Sequence, residues 1–66
     1  MQVTVNGEPR ELAPGATLGD VVRAEGLDVA RVAVEFDRVI VPREQLDSTL
    51  ASEGSKVEIV HFVGGG

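Results

Sequence analysis

Three consecutive glycines, Gly64-Gly65-Gly66, stand last in the sequence and are the residues whose type and place bear most directly on chemistry. Glycines contribute no side-chain packing and cost the most backbone entropy to order, so such a run is expected to serve something other than stability. Extended, three residues reach about 10 Å, far enough to carry a terminal carboxylate into a narrow cleft of another protein. We therefore predict a flexible tail over 64–66, with Gly66 as the reactive residue and Gly64 and Gly65 as its lead.

A terminal carboxylate at Gly66 would need activation before it could transfer anything. With a reference pKa of about 3.5 it is ionised at neutral pH and is a poor electrophile. Joining it to the α-phosphate of ATP as an acyl adenylate is the usual biochemical activation, and a sulfur nucleophile could then displace AMP and leave a thiocarboxylate. The glycines could instead be a frayed end or a linker remnant. Their place directly after the predicted last strand favours the functional interpretation.

No other group of residues has the spacing of an active site. The chain has one histidine, His61, and no cysteine, which excludes thiolate chemistry, a zinc ribbon and a cluster of histidines with metal-ligand spacing. The acids are dispersed singly, and the glycine run neither precedes a helix nor contains the lysine of a phosphate loop. We predict no intrinsic active site, no metal and no cofactor bound by this chain. We interpret His61 as a packing or surface residue, or otherwise as an interface contact.

Composition narrows the class of protein and of partner. At 66 residues, 42% of them hydrophobic, the chain is expected to form one domain with a small core. Its apolar runs fall far short of the ~20 residues that cross a bilayer, and no basic-then-apolar signal precedes them, so we expect a cytoplasmic protein. The formal net charge of -5 disfavours nucleic acids and anionic membranes and favours a basic protein surface, although solubility alone would also explain it.

The elements that would position the tail begin with a hairpin over residues 1–12. Val3 and Val5 alternate with polar residues, and Asn6-Gly7 is the pair that a type I′ turn favours. The second arm contains Pro9, which cannot donate to a sheet ladder, so this arm is expected at an edge.

A short helix is predicted to follow. Thr17 and Asp20 have the spacing of a capping box in front of apolar residues at helical intervals. Gly26 would end the helix in the left-handed conformation, with Leu27 folding back as in a Schellman motif. A helix of two to three turns does not persist alone, so it must pack on a sheet.

The second half of the sequence predicts another hairpin and a last strand. Residues 32–36 alternate as a half-buried strand, 37–38 form a turn, and 39–41 form the returning arm. Residues 43–50 are interpreted as a 3₁₀ turn or an irregular crossover. Residues 56–63 form the last strand, placed at the centre of the sheet because apolar residues occur on both of its faces.

These elements predict an α+β fold, with one helix across a mixed sheet of about five strands and the first and last strands parallel at its centre. Residues 1–63 would form the domain and 64–66 the tail. The chain resembles the thiamine-biosynthesis sulfur carriers, the ThiS family of the β-grasp, ubiquitin-like superfamily. The segments that carry this resemblance are Val3-Thr4-Val5-Asn6-Gly7, Thr17-Leu18, Val39-Ile40-Val41-Pro42-Arg43-Glu44, and Val57-Glu58-Ile59-Val60 with Gly65-Gly66.

The resemblance implies a β-grasp fold and a specific role for the tail. The carboxylate of Gly66 would be adenylated by an E1-like adenylyltransferase, which uses ATP and magnesium. It would then be thiolated with sulfur that a cysteine desulfurase passes on through a persulfide donor, and delivered to thiazole synthase. The resemblance thus implies a protein co-substrate rather than an enzyme, with ATP and magnesium bound by its partner.

Other functions and the docking residues remain open at this point. Molybdopterin-synthase subunits resemble one another in having Phe-Pro-Pro before the Gly-Gly, whereas this chain has His61-Phe62-Val63, and this difference disfavours that assignment. A carrier for another sulfur-transfer pathway or a ubiquitin-like protein modifier remains an alternative. Phe62, Val60 and Phe36 are candidates for an apolar docking patch, and each is equally compatible with the core. Arg43 is a further docking candidate, beside Glu44, or simply part of the crossover.

Overall fold

The computed structural model describes residues 1–62; Val63 and the predicted tail lie outside the described residues, as does the predicted boundary between residues 63 and 64. Two short 3₁₀ turns, Val29–Arg31 and Arg43–Gln45, accompany one α-helix and the strands of one sheet in this part of the chain. The strands and the helix are β1 Gln2–Val5, β2 Glu8–Glu11, α1 Leu18–Ala24, β3 Val32–Phe36, β4 Val39–Val41 and β5 Lys56–His61.

The five strands form one mixed sheet in the order β2-β1-β5-β3-β4. β1 and β5 run parallel at its centre, and the other neighbouring pairs are antiparallel. β2, which contains Pro9, lies at one edge. The predicted α+β fold, the parallel central pair and the edge position of β2 are therefore confirmed.

Both hairpin turns use the left-handed backbone region. Asn6 and Gly7 have φ values of 51° and 82°, as the two central positions of a type I′ turn require. Asp37 and Arg38 take the equivalent positions between β3 and β4, with φ values of 48° and 73°. Because Arg38 has a Cβ, this left-handed backbone conformation costs free energy that a glycine would not lose.

Local hydrogen bonds define both ends of α1. The Asp20 amide donates to Thr17 Oγ1 at 3.1 Å, and the Thr17 amide donates to Asp20 Oδ2 at 2.9 Å, which completes the predicted capping box. At the other end Gly26 has a φ of 77°, and the amides of Gly26 and Leu27 donate to carbonyls in the last turn at 2.9 and 3.2 Å. This is the predicted Schellman motif.

The crossover between β4 and β5 packs against the start of α1. The amides of Leu18 and Gly19 donate to the carbonyls of Thr49 and Leu46, both at 2.9 Å, so two amides of the first turn, which have no partner inside the helix, are satisfied by the loop. A Cβ at Gly19 would overlap the carboxylate of Asp47. The absence of a side chain at Gly19 therefore leaves room for the carboxylate of Asp47 beside the first turn of α1.

The core lies between α1 and one face of the sheet. Its buried residues are Val3, Val5, Leu18, Val21, Val22, Val32, Val34, Leu46, Ala51, Val57 and Ile59. The opposite face carries Val60 of β5, which is 57% exposed. β5 is central, as predicted, but the reason given from the sequence is wrong: only one of its faces is covered, because the one α-helix of the described chain supplies one covering layer. Within residues 1–62, no helix has the length and apolar character needed to cross a membrane.

Candidate functional site

β5 is the element that leads the chain toward the predicted tail. It lies between β1 and β3 and is paired with both of them. The amide of Phe62, one residue beyond the strand, still donates to the carbonyl of Arg31 at 2.8 Å. The chain is thus hydrogen-bonded to the sheet up to Phe62, and Val63 and the three glycines follow in sequence.

The side chain of Asn6 holds β5 from the side of β1. Asn6 Nδ2 donates to the carbonyl of Ile59 at 3.2 Å, and the Ile59 amide donates to Asn6 Oδ1 at 2.7 Å. The amide of Asn6 also donates to the carbonyl of Val57 at 2.9 Å, which is the last backbone bond of this parallel ladder. The carboxamide of Asn6 therefore hydrogen-bonds to β5 in the way that the backbone of a further β1 residue would, at the point where the chain turns out of β1. The sequence pattern identifies Asn6 as a turn residue only, because its two bonds to Ile59 join residues that are 53 positions apart.

Two of the three apolar docking candidates lie together on the open face of the sheet. Val60 pairs with Ala33 of β3, and Phe62, 55% exposed, follows it on the same side by strand alternation. Ile40 of β4, 70% exposed, belongs to the same face. Phe36, in contrast, is partly buried and packs against the core. The structure thus separates Val60 and Phe62 from Phe36.

Arg43 lies at the end of the sheet where β5 ends. It is exposed and begins the 3₁₀ turn that follows β4, and its carbonyl accepts the amide of Leu46 at 3.1 Å. Its backbone therefore helps to close the crossover. Among the ion pairs of residues 1–62, none joins Arg43 to Glu44. His61, at the end of β5, is exposed.

Three of the cationic side chains are occupied by carboxylates of the same chain. The hydrogen bonds that Arg10 and Arg23 donate to carboxylates raise the pKa of both guanidinium groups above the ordinary arginine value. The two contacts of Arg10 lie at one edge of the sheet and at the end of α1, and those of Arg23 link α1 to the crossover. The pairs are Arg10–Glu25 at 3.0 Å, Arg10–Glu8 at 3.0 Å, Arg23–Asp47 at 2.6 Å, Arg23–Asp20 at 3.2 Å and Lys56–Glu58 at 3.8 Å.

The part of the chain that the structure describes has an open depression but no cluster of metal ligands. Residues 1–62 contain no group of three or more His, Cys, Asp or Glu side chains close enough to hold a metal ion. An open depression of about 330 Å³ is lined by residues that include Gln2, Pro9 and Glu53. It lies at the start of β1 and β5, at the opposite end of the sheet from the one where β5 leads into the tail.

In residues 1–62, one α-helix packed on a five-stranded mixed sheet with a parallel central pair defines a protein of the β-grasp class. A crystal structure of the thiamine biosynthesis protein ThiS from Geobacter metallireducens has the same fold, with a TM-score of 0.81 and 32% sequence identity. The comparison covers 100% of both chains.

The model of the ThiS family matches residues 3–66, and the chain belongs to this family. Two curated relatives are a thiazole synthase of Magnetococcus marinus, 35% identical over 66 residues, and a thiazole synthase of Paramagnetospirillum magneticum, 36% identical over 66 residues. Each comparison covers 100% of this chain and 20% of the relative, so the chain spans about a fifth of the length of these proteins.

Proposed function

We propose that this chain is a sulfur carrier for thiazole formation in thiamine biosynthesis, and that the carboxylate of Gly66 carries the sulfur as a thiocarboxylate. The main support is the match of the ThiS family through residue 66, which includes all three glycines. The geometry of β5 agrees with this role, because the sheet holds the chain up to Phe62, immediately before the segment that would have to enter another protein.

The first step would be activation of Gly66 by an E1-like adenylyltransferase. A carboxylate oxygen attacks the α-phosphorus of ATP, the bond to the bridging oxygen breaks, and pyrophosphate leaves. The product is an acyl adenylate, in which AMP is a far better leaving group than oxide. ATP and magnesium belong to the partner's site in this proposal, and this chain contributes the carboxylate alone.

The second step would exchange AMP for sulfur. In the simplest case hydrosulfide attacks the carbonyl carbon, and AMP leaves with the electron pair of the bond that breaks. The thioacid that forms loses its proton to solvent and becomes the thiocarboxylate. When the sulfur arrives as a persulfide derived from a cysteine desulfurase, an acyl disulfide forms. A second thiol then opens it and is oxidised to a disulfide as the thiocarboxylate departs. This chain has no cysteine, so the partners supply both thiols.

Thiazole synthase is the proposed acceptor of the sulfur. A segment similar to this whole chain occurs within two longer proteins that bear the name thiazole synthase, which supports an association between the two functions. The residues of this chain would serve in binding and orientation. β5 is hydrogen-bonded to the sheet up to Phe62, and glycines without Cβ atoms would allow close approach to a partner's backbone.

The decisive experiment is intact mass spectrometry of the chain after incubation with an E1-like adenylyltransferase, ATP, magnesium and a sulfide source. We expect a gain equal to the exchange of one oxygen for one sulfur atom. Deleting Gly66, or adding one alanine after it, should abolish the gain. Both changes should leave the urea midpoint unchanged, because neither alters the described sheet or its core. A chain extended beyond Gly66 that is still fully thiolated would refute the terminal carboxylate as the site.

A modifier function would give a different result in the same experiment. Without thiolation, and with an amide bond between Gly66 and lysines of other proteins, the chain would be a ubiquitin-like modifier. Trypsin digestion of conjugates would then yield branched peptides that carry tail residues on a lysine. We expect no such peptides.

A further inference from the structure

Asn6 and Gly7 form a pair that can modify itself without an enzyme. Asn6 is the one asparagine of the sequence, and a glycine follows it. The backbone nitrogen of Gly7 can attack Cγ of Asn6, and the bond between Cγ and Nδ2 then breaks. Ammonia leaves with the proton that the Gly7 nitrogen gives up, and a cyclic succinimide remains. A glycine in the following position favours this attack because it has no Cβ to hinder the approach.

Hydrolysis of the succinimide consumes a water molecule and completes the exchange of NH2 for OH. If water opens the ring at Cγ, the product is aspartate. If water opens it at the backbone carbonyl carbon, the product is isoaspartate, in which the main chain continues through the former side chain. Both products have a carboxylate in place of a neutral carboxamide, so the reaction adds a negative charge to the chain.

The folded structure holds the carboxamide of Asn6 away from the Gly7 nitrogen. Nδ2 of Asn6 donates to the carbonyl of Ile59 at 3.2 Å, and Oδ1 accepts the amide of Ile59 at 2.7 Å. β1 lies between β2 and β5, so the carboxamide reaches to one side of β1 while the chain continues through Gly7 toward the other. Ring closure would therefore have to break both bonds to Ile59 and leave its amide and carbonyl without these partners.

Burial does not provide this protection. Asn6 and Gly7 are both exposed, and nothing lies within 4 Å of the place where a Cβ on Gly7 would stand. Water can therefore reach the turn in the native state, and the hydrogen bonds to Ile59 are what separates the two reacting groups.

We propose that Asn6-Gly7 is a deamidation site that stays unreactive while its carboxamide is bonded to β5, and that deamidation in turn weakens the attachment of β5. This inference does not depend on the proposed carrier function, because the reaction needs only this chain and water.

Both products would bind β5 less well than asparagine does. In aspartate, one carboxylate oxygen can still accept the amide of Ile59, but the other replaces Nδ2, the donor that now lies 3.2 Å from the carbonyl of Ile59. Two acceptors would then face each other, so the bond is lost and repulsion takes its place. Isoaspartate lengthens the main chain of the two-residue turn that sets the register between β1 and β2. Opening of β5 thus permits the reaction, and the reaction then disfavours closing.

The second hairpin supplies a matched control within the same chain. Asp37 and Arg38 occupy the same two positions of a type I′ turn, with φ values of 48° and 73°. The side chain of Asp37 accepts the amide of Lys56 at 2.8 Å, and within residues 1–62 this is its only side-chain hydrogen bond. The double substitution Asp37→Asn with Arg38→Gly would introduce a second asparagine–glycine pair in the same type of turn, held to β5 by one side-chain bond rather than two.

The test follows deamidation of the full chain with this double substitution at neutral pH. Mass spectrometry of the tryptic peptides 1–10 and 32–43 measures the two sites separately. Each rate is measured in buffer and in guanidinium chloride that unfolds the chain, and the ratio of the two rates removes the effect of flanking residues. We expect Asn6 to react at least about tenfold more slowly in the folded chain, because two bonds must open first, and the introduced pair to be protected roughly fivefold less. A urea midpoint close to that of the wild-type chain checks that the variant folds.

The effect of the product is measured separately with Asn6→Asp, which supplies the aspartate form directly. We expect this substitution to lower the urea midpoint, since it places an acceptor against the carbonyl of Ile59. Asp37→Asn is the control, because the oxygen that accepts the amide of Lys56 is retained there, and it should change the midpoint little.

Three outcomes would overturn the inference. Equal deamidation of Asn6 in the folded and the unfolded chain would show that the contacts with Ile59 do not protect it. Protection of the introduced pair as strong as that of Asn6 would assign the effect to the type I′ turn and not to the bonds with β5. An unchanged urea midpoint in Asn6→Asp would show that deamidation does not weaken the attachment of β5.

Discussion

Replacing Asn6 with glycine tests whether its carboxamide holds β5 in place. Glycine keeps the left-handed conformation of the turn, where Asn6 has a φ of 51°, but it removes both side-chain bonds to the backbone of Ile59. Ile59 is in register with Val34. In the β3–β5 ladder the hydrogen-bonded pairs are the neighbouring pairs on either side of this one, so the amide and the carbonyl of Ile59 point away from β3. The amide and carbonyl of Ile59 would therefore lose the partners that Asn6 provides.

The expected destabilisation follows from these lost contacts. Each hydrogen bond contributes about 1 kcal/mol net, and an amide left without a partner in a part-buried place adds to that loss. Glycine also gives the unfolded chain more freedom, at a further cost of about 0.5 kcal/mol. We expect the free energy of unfolding to fall by about 2 to 3 kcal/mol. For a 66-residue domain this is a large part of a total of roughly 3 to 10 kcal/mol.

Urea denaturation followed by far-ultraviolet circular dichroism measures the change, since the chain has no tryptophan or tyrosine to report by fluorescence. Amide hydrogen exchange supplies the specific signal: the amide of Ile59 should lose protection in Asn6→Gly. The second hairpin offers graded controls. Asp37→Gly removes one bond, from the amide of Lys56 at 2.8 Å, and Arg38→Gly removes a residue with positive φ that makes no side-chain hydrogen bond within residues 1–62.

The series should rank Asn6→Gly as the most destabilising, Asp37→Gly as intermediate, and Arg38→Gly as neutral or slightly stabilising, because glycine relieves its left-handed backbone. If Asn6→Gly costs no more than Arg38→Gly, or if the exchange of Ile59 is unchanged, the carboxamide does not hold the strand. The bonds would then be incidental to the turn.

Three further predictions concern the scaffold. Hydrogen bonds donated by the amide of Thr17 and by the guanidinium of Arg23 lower the pKa of Asp20. The stability that ionised Asp20 contributes is therefore present above about pH 4 and is lost as the pH falls through the lowered pKa. Asp20→Asn should flatten this part of the acid-unfolding curve. Gly26→Ala should lower the free energy of unfolding in urea by about 1 kcal/mol. A Cβ at this position would contact no other atom, so the cost is the backbone strain of a φ of 77°. Val34→Ala should cost about 2 to 3 kcal/mol, whereas Val39→Ala, at a 65% exposed position, should cost less than ~0.5 kcal/mol.

The features that could be predicted from the sequence are those that depend on neighbours along the chain. The turn at Asn6-Gly7, the capping box of Thr17 and the helix end at Gly26 each follow from the backbone preferences of a few adjacent residues, and the structure confirms all three. The parallel pairing of the first and last strands at the centre and the edge position of β2 were also predicted, and the strand order of the sheet confirms both. The importance of Gly66 came from sequence alone and stays a proposal, because the tail lies outside the described residues.

The exposure of the predicted docking residues could not be predicted in the same way. Alternation placed Val60 and Phe62 on one side of β5, but it could not tell whether that side was covered. Phe36 has a similar pattern in β3 and is partly buried. The difference depends on which face α1 covers, and this is decided by packing between elements distant in sequence. The second bond of Asn6 to Ile59 and the position of Arg31 beside Phe62 escaped prediction for the same reason.

The sequence by itself therefore determined the elements of this protein, the central pairing of its first and last strands and the glycines that carry the proposed chemistry. Only the tertiary structure decided what surrounds the approach to those glycines. Strand register brings Arg31 next to Phe62 and leaves Val60 exposed on the open face. The physical reason is that backbone conformation is governed by near neighbours, whereas exposure and charge environment depend on residues that meet only when the sheet forms.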